Sequence, residues 1–141
     1  MPLSFENICD QEFGYLLESG FRKLNAEKRS VVYGNDSTFV SVSMDRDQTL
    51  HVFVGRNDHH IPEGLESYAY DITDVVHERQ QQHRWHTTRD DESDWPALTE
   101  RARLLRSFAS DVLRGDFDVF RDAQRQVDKR SAAYFRRLKE E

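Results

Sequence analysis

Between residues 38 and 55 apolar and polar positions alternate in two runs. Val40, Val42 and Met44 alternate with Ser41 and Ser43. After a polar break at Arg46-Asp47-Gln48, Leu50, Val52 and Val54 alternate with His51 and Phe53. A period of two in adjacent runs predicts an antiparallel hairpin with one strongly apolar face. A face of that kind needs a cover, and the pattern elsewhere supplies helices.

Upstream, Ser4 is placed to cap a helix whose residues Phe5, Ile8, Cys9, Phe13, Leu16 and Leu17 recur on one side. Gly20 is its stop. Residues 21–30 are mixed and charged, consistent with an irregular edge strand. Val31-Val32-Tyr33 is a short strand, and Gly34-Asn35-Asp36-Ser37 a turn into the hairpin. Downstream, residues 56–64 form a polar loop and Tyr68, Tyr70 and Ile72 alternate as a further strand. Asp71 or Thr73 caps a helix with Val75, Val76, the stem of Arg79, Gln80 and His83 inside. Residues 80–94 are nearly devoid of aliphatics and predict a mobile loop. Trp95-Pro96 opens a long helix with Leu98, Arg101/Ala102, Leu105, Phe108, Ala109 and Val112 buried, closed by Gly115. Asp116 or Asp118 caps a last helix striped by Phe120, Ala123, Val127, Ser131, Tyr134 and Leu138.

The expected fold is therefore a single α+β domain over residues 1–141. A small antiparallel sheet of three to five strands, with its central hairpin at about 38–55, packs against an N-terminal helix and two long C-terminal helices. Val42, Val52 and Val54 are expected to face Phe13, Leu17, Leu105 and Phe108.

Composition narrows the class. The chain is 33% charged and 37% apolar, yet its apolar residues, nine Phe among them, are regularly spaced, which indicates a folded protein rather than disorder. The one cysteine, Cys9, excludes an internal disulfide framework and fits a reducing compartment. It falls on the apolar side of the first helix, as a buried small hydrophobe rather than a nucleophile. The first residues, Met1-Pro2-Leu3-Ser4-Phe5-Glu6, lack the basic and apolar regions of a signal peptide. No stretch approaches a membrane span. The expectation is a soluble cytoplasmic protein. The net charge of −6 is unevenly placed: residues 1–74 carry 6 Lys/Arg against 13 Asp/Glu, and residues 97–141 carry 11 against 8. Such an acidic half repels nucleic acid and attracts basic protein surfaces, or serves only to keep the surface solvated.

Three kinds of chemistry have candidate residues here. His77, His83 and His86 lie within ten residues, and His83-x-x-His86 places two imidazoles on one helical side, but no cysteine and no His-Glu-x-x-His pattern joins them. Asp90-Asp91-Glu92-x-Asp94 lacks the alternation, glycine and closing glutamate of an EF-hand. There is no nucleophile elbow, Walker loop or dinucleotide glycine pattern. The arginines of the last helix are interleaved with Asp122 and Asp128, as on a solvated surface. No catalytic residue, metal ligand or cofactor is expected.

A longer pattern runs through the chain. Leu16-Leu17-Glu18-Ser19-Gly20-Phe21 precedes Val31-Val32-Tyr33-Gly34. Val40 to Asp45 and Leu50 to Gly55 follow, and Val112-Leu113-Arg114-Gly115-Asp116-Phe117 comes late. In this order the segments resemble a diffuse set of small bacterial α+β proteins, several of which look like immunity proteins of polymorphic or contact-dependent toxin systems. The resemblance implies a cytoplasmic protein that binds and inhibits a cognate toxin, and it carries no catalytic residues. An immunity protein needs charge complementarity and a few buried anchors. Asp90, Asp91, Glu92 and Asp94 are the expected charged rim, and the exposed-looking Trp85 and Trp95 the expected anchors, for a toxin or other basic protein. The chain would be a monomer or homodimer, with no nucleic acid or membrane partner. The alternatives are an adaptor or regulatory domain, dimeric through its free sheet edge, and a metal-linked enzyme using the segment 77–86.

Overall fold

The computed structural model describes residues 4–77, 79 and 95–140. Five strands, β1 (Arg22–Glu27), β2 (Ser30–Gly34), β3 (Thr38–Met44), β4 (Leu50–Arg56) and β5 (Ala69–Asp71), form one antiparallel sheet in chain order. The described helices are α1 (Phe5–Glu12), α2 (Gly14–Glu18), α3 (Ile72–His77), α4 (Pro96–Phe108), α5 (Ser110–Leu113) and α6 (Phe120–Glu140). This is the α+β arrangement that the alternating pattern predicts.

The β3–β4 hairpin sets the division of the sheet into two faces. Val40 pairs with Val54, Val42 with Val52 and Met44 with Leu50. These six are buried, together with Val31 and Tyr33 of β2 and Tyr70 of β5. The helices cover this face with Phe13, Leu16, Ile72, Leu98, Leu105 and Phe120, all fully buried. The intervening pairs, Ser41 with Phe53 and Ser43 with His51, lie on the opposite face, because successive side chains alternate across a strand. The hairpin turns without glycine. Gln48 takes a left-handed φ of 69°, its N–H donates to Asp45 O (2.9 Å), and the Thr49 N–H donates to Asp47 Oδ1 (3.0 Å).

Polar ties fix the helices around the core. Lys23 Nζ donates to Glu6 Oε2 (2.7 Å) and Asp10 Oδ2 (2.6 Å), and the Tyr33 hydroxyl donates to Asp10 Oδ1 (2.8 Å), pinning α1 to β1 and β2. Arg79 meets both oxygens of Asp111 at 2.7 Å and the Phe108 carbonyl. Arg130 of α6 forms a two-pronged pair with Asp74 of α3. Gln124 accepts from the Tyr70 hydroxyl and the Glu66 N–H and donates to Asp128, so a buried amide is satisfied on both sides.

The structure departs from the sequence pattern at four points. The first helix breaks at Phe13, whose N–H donates to Cys9 O (2.7 Å) at φ −99° and ψ 11°. The restart at Gly14 changes the helical phase, so Leu16 is buried while Leu17, expected against the hairpin, is 43% exposed. The long helix after Trp95 is interrupted at Ala109 (φ −128°), dividing it into α4 and α5. The stripe of α6 is buried only in its first turns. Ser131, Tyr134 and Leu138, expected inside, are exposed, because the helix runs on past the body it packs against. Trp95, expected on the surface, is 7% exposed, with its ring 6.0 Å from Phe5, so it joins α4 to α1. The segment 21–30 is an edge strand with a bulge between Lys23 and Asn25, as its mixed composition predicts.

Val52 sits at the centre of this arrangement, fully buried opposite Val42. Val52→Ala is expected to cost about 1–3 kcal/mol, from lost burial plus the cavity left behind. The midpoint shift in urea denaturation, at unchanged m-value, measures it.

Candidate functional site

Helices cover one face of the sheet, and among the described residues no helix packs on the other. That outer face carries Leu24 of β1, Val32 of β2, Phe39, Ser41 and Ser43 of β3, His51 and Phe53 of β4, and Ala69 and Asp71 of β5. A solvated sheet face ordinarily shows polar residues. Here Leu24 is 49% and Phe53 37% exposed, in the company of several aromatic rings.

Small residues let the aromatics lie flat. Phe39 packs against Gly55: a Cβ at 55 would come within 2.8 Å of Phe39 Cε1, 2.6 Å of Ala69 Cβ and 2.8 Å of the Tyr68 carbonyl oxygen. Tyr68 stands 6.1 Å from Phe39, centroid to centroid, and the His59 ring stacks on Tyr68 at 4.5 Å with 17° between planes. His59 also meets Phe39 edge-on at 6.0 Å. Alongside, His51 and Phe53 stack at 6.4 Å. His51 Nε2 lies 2.8 Å from Asp45 Oδ2, which fixes its ring.

The loop that presents His59 is held by the turn between β2 and β3. Asn57 donates through Nδ2 to Asn35 O (2.6 Å) and through its backbone N–H to Ser37 O (2.9 Å). Asn35 Oδ1 in turn accepts from the N–H groups of Ser37 (2.9 Å) and Thr38 (2.8 Å). Asp58 Oδ1 accepts the His60 N–H (3.0 Å), and Arg56 reaches both carboxylate oxygens at 3.2 Å. The Arg56 guanidinium beside Asp58, helped by the His60 N–H, lowers that carboxyl to about 2, so it is charged at any physiological pH. His59 itself is at φ 56°, a left-handed conformation that side chains other than glycine adopt at some cost. The fold thus holds a strained residue so that its ring covers Tyr68.

Other polar groups are used in building the protein. Burial first, and then its hydrogen bond to Asp10, push the Tyr33 phenol far above its ordinary range, making it a structural donor. A shallow groove of about 320 Å³ lies between Arg56, Leu65, Asp116, Phe117 and Arg121, with Arg56 over the Phe117 ring at 5.3 Å. It is open and mixed in charge. Among the described residues no three His, Cys, Asp or Glu side chains are grouped as metal ligands. No described helix is long and apolar enough to cross a membrane.

The residues singled out from sequence are distributed otherwise. Asp90, Asp91, Glu92, Asp94 and Trp85 lie outside the described residues, as do His83 and His86. His77 is exposed at the end of α3. Trp95 is in the core and offers no surface anchor. The outer-face aromatics carry one signal in the sequence: the polar positions of the alternating hairpin include Phe39 and Phe53. No protein-family model, curated protein or solved structure matches the chain.

Two substitutions separate support from surface. Gly55→Ala forces a methyl into backbone and ring together and is expected to cost about 1–3 kcal/mol. Gly34→Ala meets chiefly the flexible end of Leu24, at 2.5 Å, with the Thr38 carbonyl oxygen at 3.4 Å, and should cost less than Gly55→Ala. Thermal melts of the two variants give the order. His59→Gly should move stability by less than about 1 kcal/mol, since relief of the left-handed backbone offsets the lost stacking.

Proposed function

We propose that this protein is a cytoplasmic binding protein that neutralises a partner, acting as an immunity protein that covers and inhibits a cognate bacterial toxin with the outer face of its sheet. The observation that carries the reading is the cluster Phe39, Tyr68 and His59, continued by Phe53 and His51, with Phe39, His51 and Phe53 on strands β3 and β4 and, among the described residues, no helix over it. Interfaces draw their affinity from a few aromatic anchors, and anchors set on strands lose little freedom on binding. The charge of the chain complements this. Residues 1–74, which contain all of the sheet, hold 13 Asp/Glu against 6 Lys/Arg, a balance that favours a basic partner such as a nuclease toxin. The acidic surface then stands where nucleic-acid phosphate would.

An adaptor that dimerises through its sheet edge receives less support. The β1 edge has a bulge at Lys23/Asn25 and charged residues at Arg22, Lys23 and Glu27, all of which oppose strand addition. The other edge, β5, is three residues long.

Co-expression with the toxin encoded beside it tests the reading. The wild-type chain is expected to restore growth, and Phe53→Ser and His59→Gly to bind at least about tenfold more weakly, as loss of an anchor worth about 1.4 kcal/mol requires. Their melting temperatures should stay near that of the wild type. Added salt should slow association more than it speeds dissociation. Failure to protect against any neighbouring toxin, or full protection by both variants, overturns the proposal.

A further inference from the structure

Helix α6 outlasts its packing. Phe120, Ala123, Gln124 and Gln126 are buried and Val127 is partly so, but residues 128–140 are all exposed. Its apolar stripe continues regardless. Tyr134, Phe135 and Leu138 are 54%, 60% and 48% exposed, and the Tyr134 and Phe135 rings meet edge-on at 5.7 Å. Val127, Ser131, Tyr134 and Leu138 follow one another at intervals of four, three and four residues, the spacing by which one helix packs along another.

Local charge selects what can cover it. Residues 128–140 hold Lys129, Arg130, Arg136, Arg137 and Lys139 against Asp128 and Glu140. Arg130 is engaged with Asp74, as Arg125 is with Asp122. Among the described residues no carboxylate pairs with Lys129, Arg136, Arg137 or Lys139. Arg137, three residues on from Tyr134, and Lys139, four on from Phe135, flank the stripe on its two sides. This half of the helix extends about 20 Å, roughly twice the screening length at physiological salt, so acidity elsewhere in the chain does not cancel it.

Shape separates the anionic partners. Leu138 stands about five turns from Phe120 and Tyr134 about two from Val127, so the stripe faces the same side as the turns that pack on α3 and β5. A flat bilayer brought to that side meets the body of the protein first, whereas a helix fits into the step. Single-stranded nucleic acid stacks on the faces of aromatic rings, and Tyr134 and Phe135 stand 69° apart, with no common platform. A second α6 would bring cations against cations.

We propose that the exposed half of α6 docks an acidic amphipathic helix of a partner protein. Apolar side chains of that helix cover Tyr134, Phe135 and Leu138, and its carboxylates meet Arg137 on one flank and Lys139 on the other. The surface lies on the helical side of the sheet and does not depend on what the outer face binds.

Fluorescence anisotropy with the full-length chain and two labelled synthetic helices tests the site. The acidic probe carries leucine at i, i+3, i+4 and i+7 with glutamate on its flanks, and the basic probe has lysine for each glutamate. The acidic probe is expected to bind saturably, at least about tenfold more tightly than the basic one, and to be released as salt is raised. Phe135→Ala/Leu138→Ala and Arg137→Gln/Lys139→Gln should each weaken it at least about tenfold. Both variants should keep the wild-type circular dichroism and melting temperature, because the residues changed are exposed. Phe53→Ser, on the sheet, should leave the affinity unchanged. Equal binding of the two probes, no binding of the acidic one, or its loss in Phe53→Ser overturns the inference. So does a chain that dimerises through Leu138 in sedimentation velocity, or that is recruited through Phe135 to phosphatidylserine vesicles or to oligothymidylate. Probe binding by a chain that protects against no toxin keeps this site and removes the toxin reading; protection without probe binding does the reverse.

Discussion

The registered pairing of β3 with β4 is the constraint on which the rest depends. With Val40 opposite Val54 and Val42 opposite Val52, every second side chain of the hairpin is committed to one face. A slip of one residue would bury Ser41, Ser43 and His51 and expose the valines, so the register is fixed by burial itself. The helices follow from this choice. Phe13 at the break between α1 and α2, Ile72 of α3, Leu98 and Leu105 of α4 and Phe120 of α6 converge on the same strip of valines and Tyr33. The polar ties at Lys23, Arg79, Arg130 and Gln124 then decide where each helix sits on it.

The same alternation creates the opposite face. Once the core is assigned to one side of the sheet, Phe39, Phe53 and His51 have no other place to go. Their exposure is a consequence of register, and Gly55 and Ala69 make room for them to lie against the strands. Rigid strands beneath, and the Asn35–Asn57 ties at one end, leave this surface little freedom to lose on binding. Tight packing on one face thus fixes the arrangement of the other.

Much of the fold was legible because period-two and period-3.6 patterns are properties of the sequence itself. The hairpin, the glycine stops at Gly20 and Gly115, both at φ 93°, and the cap at Asp71 are local devices. The departures are tertiary. Gly14 weakens the first helix locally, but the break at Phe13 pays off only in how Leu16 meets the core. Trp95 beside a run of acids suggests surface, and only the approach of Phe5 from a helix ninety positions away buries it. The turn at Gln48 lacks the glycine or asparagine that would signal a left-handed residue. The trio of Phe39 and the stacked pair His59 and Tyr68 joins a strand and two loop segments, so spacing along the chain carries no trace of it.

The proposed working surface is the sheet's uncovered face. Hydroxyl-radical footprinting of the dilute protein, alone and saturated with the basic partner proposed for it, is the test. The account predicts rapid modification of Phe53, His59 and Tyr68 in the free chain and strong protection of all three in the complex, with Trp95 slow in both. Protection confined to α4 and α6, with the three aromatic residues equally reactive in both states, would contradict it.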